Sequence, residues 1–591
     1  MTACGRGYLV SQPQPAALRA FLYQETDRFS CDDLPRDLKV GTAGLYQRPW
    51  RYLLTTVAIA WKVLGISWSG LAPLFGLLYG ATTALVYALS RLIVGRVAAI
   101  ACAAALCLSP VQLSNLPNLR DYAKAPCTVA LMAILIALVV RPWRTRDVLL
   151  LSLAYGVVMG IGYGFRTDVL VDIPPFLITI ALFLPGGVLH HVPVKTASIA
   201  LFAGGFLIAG WPIISSVTSG GGCQWHFSLL GLTSPFDDAL GVTGGSYGFG
   251  HLFKDEYLWA TISSYASRMR PDLGYIEYCS HEYDVASGEY LRHILFTFPA
   301  DIVTRAYAST LHVLNLPLQR IPLLNVTGPL VAALFVLLAS TISIRLALFA
   351  VFLMLYFAGY PAIQFHPRHY FPFEIITVVI SAFLIERAVR IVREKAWTVP
   401  PQATRRIATT LAIVVVMLWL PLTVLRAYQD RQVKQLLDSY LAAPTSATGL
   451  LHPNASGEVA LAEQSDLPRS EIEAMTQLGR AGTRFVRIAI EAAACRAGTQ
   501  VTFQYDPTYR QADFSTGIVL QRPSARDGVT NIFEPLYPGF RGIAFSDPSP
   551  SCRAQAVSMV NGVDRVPLLL PAQLPPGWEA EPQYERIAHI R

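Results

Sequence analysis

Charge is scarce in this chain. Only 15% of its 591 residues are Asp, Glu, Lys or Arg, while 53% are hydrophobic; soluble domains carry about 25% charged residues. That shortfall, with long uncharged runs, excludes an ordinary soluble domain and predicts a polytopic integral membrane protein. The formal net charge of +8 is modest. No basic stripe carries interleaved aromatics, so no nucleic-acid partner is expected. The first fifty residues lack the apolar run of about 7–15 residues that a signal peptide needs. No Cys-x-x-Cys or His/Cys spacing points to zinc, and no cofactor is expected. There is no internal repeat and no low-complexity tract.

What is present begins with a polar, acid-rich stretch, Glu25–Leu54, that ends in Arg48-Pro49-Trp50 and runs into an apolar chain reaching about residue 425. Tyr52–Ile66 is short and interrupted by Lys62, which predicts an interfacial amphipathic helix. Ten membrane spans are expected, near 70–90, 95–112, 123–140, 148–165, 169–186, 197–217, 323–341, 345–360, 371–388 and 407–425. Lys and Arg collect in alternate loops: Arg91 and Arg96; Arg141, Arg144 and Arg146; Lys195; Arg345; then Arg387, Arg390, Arg393, Lys395, Arg405 and Arg406. The positive-inside rule makes these loops cytoplasmic, in what is expected to be a bacterial inner membrane. The extracytoplasmic set is then 1–51, Ser114–Tyr122, Arg166–Asp168, the long loop 218–322, Gln364–Tyr370 and the chain beyond Arg426.

The expected organisation is an acidic extracytoplasmic segment 1–51, a helical membrane domain 52–427 and an extracytoplasmic domain 428–591. The loop 218–322 is long for a connector and too aromatic for disorder, and short helices such as Ala300–Leu314 are expected in it. A polar helix is expected at Asp430–Leu441. From Thr483 the runs TRFVRIAI, VTFQY, STGIVLQ, RGIAF and AVSMV, parted by Gly, Pro and Asp, predict a small β-sandwich. Cys223 with Cys279 and Cys495 with Cys552 are candidate disulfides on the oxidising side; otherwise they are small buried residues.

The run RPWRYLLTTVAIAWKVLG, followed by GLAPLFGLLYGATTALVYALSRLIVGRVAAIACAAALCLSP, resembles the start of GT-C glycosyltransferases. The nearest pattern is that of protein O-mannosyltransferases and the lipid A aminoarabinose transferase. Arg48-Pro49, the Arg91–Arg96 turn and Ser109-Pro110 match that pattern in order. GYGFRTDVLVDIPP resembles a later Gly-x-x-x-Arg-x-Asp segment, and RHYFPFEII a late Arg-x-Tyr element, although Pro372 falls only two residues after Tyr370. The likeness covers about residues 25–390. It departs in two places: the family carries a helix ahead of its acidic loop, expected here upstream of Met1, and its acidic pair is usually Asp-Glu.

The resemblance implies a GT-C-like helical fold and transfer of a sugar from a polyprenyl-phosphate donor to a lipid, glycan or protein acceptor. A carboxylate would act as general base on the acceptor hydroxyl. Asp27 best matches the family's acid-x-Arg-aromatic run; Glu25, Asp32 and Asp33 remain open. Arg48, Arg368 and Tyr370 match phosphate-facing positions, and Arg120, Lys124 and Arg166 lie on the same side. The plainer readings are solvated loop acids, snorkelling at Arg120 and Lys124, and Asp168 serving only to pair Arg166. His366 and His369 alone are a weak metal signal, and none is expected. Other classes are an O-antigen-polymerase-like enzyme, a lipid-linked sugar transporter or flippase, and a membrane scaffold. Sparse mid-span charge and absent repeats weigh against a transporter. The acidic loop ahead of Arg-Pro weighs against the polymerase.

Overall fold

A computed structural model describes residues 2–9, 15–37, 40–41, 47–185, 191–218, 223–233, 247, 255–318, 327–394, 401–447, 451–453, 459–461, 483–491, 494–496, 498–505, 514–520, 529–537, 540–547, 549 and 551–574. Lys395 of the basic loops lies outside these. The chain divides into two compact units. One comprises Met1–Gly222, Ser309–Pro361 and His366–Val416; the other Cys223–Ala308, Ala362–Phe365 and Met417–Arg591.

The first unit is helical. Across the described residues six helices are long and apolar enough to cross a membrane: Ser69–Ser90, Leu119–Val140, Thr145–Phe165, Val192–Ser216, Ile344–Ile363 and Gln402–Ala442. Arg96–Cys107 and Gly328–Ile342 are apolar but shorter. The ten expected spans are thus reduced. The stretch 169–186 is broken into a 3-10 turn Thr167–Asp172, a helix Ile173–Ile178 and a π-helical turn Thr179–Phe183. Pro174 and Pro175 donate no backbone hydrogen bond and sit in the first turn of Ile173–Ile178, where none is needed, so the helix starts anew there. Asp430–Leu441 is no separate element either. It is the end of one helix, Pro401–Ala442, with Pro421 inside.

Three glycines set the closest packing. Gly156, Gly160 and Gly164 recur every four residues on Thr145–Phe165. A Cβ at Gly156 would strike the Phe202 carbonyl, one at Gly160 the Cβ of Ala209, and one at Gly164 the ring of Tyr52. Helix Val192–Thr218 therefore lies almost backbone to backbone on Thr145–Phe165. Tyr52 donates to the Ala209 carbonyl at 2.6 Å. This anchors helix Arg51–Leu64, which keeps Ile59, Val63 and Leu64 exposed, as an interfacial helix would.

The segment before it is more ordered than its polarity predicts. Helix Ala16–Leu22 seats Phe21 against Trp61 and Trp68, with ring centroids 5.6 and 5.4 Å away. Trp68 Nε1 donates to the Phe21 carbonyl at 2.7 Å. Strand β1 (Tyr8–Leu9) pairs antiparallel with β2 (Val40–Gly41).

Helices Gln224–Leu232, Asp255–Met269 and His281–Thr297 of the second unit, with Pro299–Asn315, whose residues from Ser309 on belong to the first, fill much of the long loop. The fully buried His226 meets the Tyr283 hydroxyl at 2.6 Å through Nδ1 and Asp255 at 3.0 Å through Nε2. The C-terminal strands are β3 (Thr445–Ala447), β4 (Leu451–Pro453), β5 (Val459–Leu461), β6 (Arg484–Glu491), β7 (Gln500–Tyr505), β8 (Phe514–Val519), β9 (Val529–Leu536), β10 (Phe540–Phe545), β11 (Ala554–Val560) and β12 (Ala572–Leu574). They form two five-stranded sheets, ordered β4-β5-β10-β7-β8 and β12-β9-β6-β11-β3, with antiparallel pairing throughout. Alternate residues turn inward: Val501, Phe503 and Tyr505 from one sheet share a core with Val486, Ile488 and Ile490 from the other. Tyr440, near the end of Pro401–Ala442, donates to the Leu568 carbonyl at 2.7 Å and accepts from the Leu570 amide at 2.9 Å.

Cys223–Cys279 and Cys495–Cys552 are disulfide-bonded, and so are Cys4 and Cys31, a pair the sequence reading leaves unassigned. Cys102, Cys107 and Cys127 are free. Unfolding without reductant and alkylating is expected to modify those three thiols alone; modification at any of the other six removes the assignment. Replacing Cys495 and Cys552 together by Ser is expected to destabilise the sheet region by about 4 kcal/mol, since the bridge closes 57 residues. Chemical denaturation of the reduced and oxidised protein measures it.

Candidate functional site

Three short segments of the helical unit converge. Helix Leu119–Tyr122 leads into Ala125–Val140 and leaves Lys124 at that helix's N-cap, with Pro126 just inside. Helix Thr145–Phe165 ends where Arg166 takes an extended backbone, φ −160° and ψ 130°, and the next turn carries Asp168 and Asp172. His366 opens the short helix Pro367–Tyr370. Tyr122 stacks on Phe371 with centroids 5.3 Å apart, and Gln112 donates to the Phe371 carbonyl at 2.7 Å. The buried Glu374 accepts from Ser109 Oγ at 2.7 Å. These contacts fix the His366–Phe373 segment in place.

At the centre is the Asp168 carboxylate. It is ion-paired with Lys124 and accepts from Arg166 Nε at 3.0 Å, and His369 Nδ1 lies 3.4 Å away. Arg166 is also paired with Asp121, and Arg120 Nε lies 3.8 Å from Asp121. The Arg120 guanidinium sits 5.0 Å over the Trp50 ring, which brings the Arg48-Pro49-Trp50 turn to the cluster. Lys124 is only 2% exposed. Burial alone would push the Asp168 carboxyl up, but Lys124, Arg166 and His369 together hold it well below the usual carboxylate range.

Arg368 completes the group. Its Nε donates to His369 Nε2 at 3.1 Å. Among the described residues its two Nη groups have no partner. Burial first, then the like charges of Arg166 and Arg120, push its guanidinium down from its ordinary value. Burial pushes His369 down to about 3, so its ring is neutral. Four basic side chains thus face two engaged carboxylates, Asp121 and Asp168. The surplus is what an anion would neutralise. Asp172, 1% exposed, offers two carboxyl oxygens without a hydrogen-bond partner among the described residues.

The sequence-derived residues therefore separate. Arg120, Lys124, Arg166 and Arg368 come together. Arg48 donates to the Ser216 carbonyl at 3.3 Å, and Tyr370 is half-buried beside His369 in the chain. The four loop acids are exposed and have no contact with the cluster among the described residues. Asp27 accepts from the amide and hydroxyl of Ser69 at 3.0 and 2.8 Å, and these bonds hold its carboxyl below the ordinary value. Asp33 accepts from the Ser30 amide and the Asp32 amide donates to Ser30 Oγ, each at 3.3 Å, which closes a capping box. The Glu25 carboxylate has no partner among the described residues. Asp121 and Asp172 escaped the sequence reading. Asp172 had a signal, an acid amid the apolar run VLVDIPP, where an ionisable group defaults to function.

Beyond Glu374 lies a cavity of about 240 Å³ lined by apolar side chains, Leu89, Met132, Ile136, Met354, Ile375 and Phe383 among them. Met132 and Ile136 belong to the helix that Lys124 caps, and Ile375 follows the His366–Glu374 segment directly. Among the described residues no three His, Cys, Asp or Glu side chains are grouped to hold a metal ion. Compared with protein-family models, curated proteins and solved structures, the chain matches none.

Asp168→Asn leaves Lys124 and Arg166 buried beside a neutral amide. It is expected to cost about 3–5 kcal/mol. Asp172→Asn breaks no hydrogen bond and is expected to leave stability nearly unchanged. Because the folded carboxyl of Asp168 is depressed, its stabilisation is complete above the unfolded value of about 3.9 and fades as pH falls through the folded one. Thermal unfolding in detergent from pH 7 downward reads both; equal losses for the two variants sink the assignment.

Proposed function

We propose that this chain is a membrane glycosyltransferase of GT-C type that moves a sugar from a polyprenyl-phosphate donor to a lipid, glycan or protein acceptor outside the cytoplasm. The observation that carries the reading is the cationic cluster, with its surplus of positive charge, at the head of helices Ala125–Val140 and Glu374–Glu394, which line an apolar cavity further along their length. A polyprenyl phosphate pairs one anionic head with an apolar tail, and both halves find matching chemistry here. Arg120, Lys124, Arg166 and Arg368 hold the phosphate, with Arg48 and Tyr370 at its margin. As the bond between the sugar C1 and the phosphate oxygen breaks, the phosphate keeps the electron pair, and these cations stabilise the added charge. The acceptor oxygen bonds to C1 and its proton passes to a carboxylate of the first loop, Asp27 before Glu25, Asp32 or Asp33. The Ser69 bonds keep Asp27 ionised and oriented, at some cost in basicity. The three disulfides all lie in segments read as extracytoplasmic, and the three free cysteines in apolar helices, which supports the orientation.

Membranes enriched in the chain are expected to release sugar from polyprenyl-phosphate sugars. Asp27→Asn is expected to cut turnover by about 10²–10⁴-fold with donor binding intact. Arg368→Ala and Arg48→Ala are expected to lower both donor affinity and turnover. Near-native turnover in all four carboxamide variants, Glu25→Gln, Asp27→Asn, Asp32→Asn and Asp33→Asn, removes the loop from catalysis. For orientation, engineered cysteines near Arg144 and Arg393 are expected to label only once the inner face is opened, and those in 255–290 and 529–570 from outside. Labelling of the C-terminal sheets from the cytoplasm alone overturns the reading.

A further inference from the structure

His369 is the one uncharged member of the cluster, and its two ring nitrogens are both committed. Arg368 Nε meets Nε2 at 3.1 Å. A guanidinium only donates, so Nε2 is the acceptor and carries no proton. In a neutral ring the proton then sits on Nδ1, 3.4 Å from Asp168 Oδ2. The imidazole is buried, and the tautomer follows from its two neighbours.

We infer that His369 is a positioning residue of the anion site: as the Nδ1–H tautomer it ties Arg368 to the Asp168 anchor, so that the two Nη groups of Arg368 are presented together to a phosphate. This rests on the phosphate-binding reading above. Arg368 otherwise has every reason to swing away. Arg166 and Arg120 repel it, and no carboxylate bonds to it among the described residues. A neutral acceptor holds the guanidinium without cancelling its charge. A carboxylate at position 369 would hold it too, but would neutralise it and compete with the ligand. An imidazolium would hold nothing, since it has no acceptor and adds a further positive charge. Asp168 in turn is fixed by Lys124 and Arg166, so the order of the device is anchor, imidazole, guanidinium, phosphate.

The two halves of the ring can be separated by substitution. Gln places a carbonyl oxygen near the position of Nε2 and keeps the acceptor for Arg368. Asn places its amide near Nδ1 and keeps only the donor toward Asp168. The full-length protein in nanodiscs is titrated with polyprenyl monophosphate, the species left when the sugar departs, with the corresponding polyprenol as control. His369→Asn is expected to weaken binding about tenfold or more, the weight of one hydrogen bond to a charged group. His369→Gln is expected to recover most of the affinity. In an Arg368→Ala background, His369→Asn is expected to cost little more, since its effect runs through Arg368. That cycle compares binding within one background and so holds even where His369→Asn loosens the fold. Equal loss from Gln and Asn, or an undiminished Asn effect without Arg368, overturns the inference and leaves the anion site standing. No preference of the wild type for the phosphate over the polyprenol overturns the site, and the inference with it.

Discussion

Like charges do not gather at one end of a bundle of apolar helices unless something holds them there. At about 4 Å and an effective dielectric near 20, each pair of like charges costs on the order of 4 kcal/mol. The Asp168 carboxylate answers that cost, meeting Lys124 from one helix, Arg166 from the end of another and His369 from a third segment. Asp121 does the same for the outer side of Arg166. The two carboxylates are enough to assemble the cluster and too few to neutralise it. The geometry of every cation in the site depends on that imbalance, and so does its appetite for an anion.

The apolar surroundings matter as much. Lys124 is almost fully buried at the mouth of Ala125–Val140, where water cannot screen it. A charge in that setting acts over a longer reach than the same charge on a soluble surface. The aromatic shelf of Tyr122 and Phe371 and the buried Glu374 keep the third segment from drifting.

Four of the six suggested phosphate-facing cations and partners, Arg120, Lys124, Arg166 and Arg368, were legible because they sit at the ends of apolar runs, where a long basic residue has little structural purpose. Their meeting was not legible, because one sequence carries no information on which helix ends are neighbours. The spacing Arg-x-Asp suggests that Asp168 pairs with Arg166, and it does, but its hold on Lys124 and His369 is a fact of the fold. The loop acids illustrate the opposite limit. Acid-rich composition drew attention to Asp27 and Asp33, while the local bonds to Ser69 and Ser30 depend on turns that composition does not reveal. In the C-terminal region the five β-rich runs fall on β6, β7, β8, β10 and β11, because short runs of β-branched and aromatic residues between Gly, Pro and Asp are written directly in the sequence. Strands β3, β4, β5 and β12 are three residues each, too short to show a period.

The glycine ladder on Thr145–Phe165 has a bearing on how this chain tolerates change. A hydropathy scale scores Gly160→Leu as a gain, since it deepens an already apolar run. Sterically the same change wedges two backbones apart at Ala209, the residue whose carbonyl receives Tyr52. Tyr52 begins the helix that follows Trp50, and Trp50 lies under Arg120. A side chain added inside an apolar run is thereby levered toward the turn that Arg120 covers, and so toward the charged cluster.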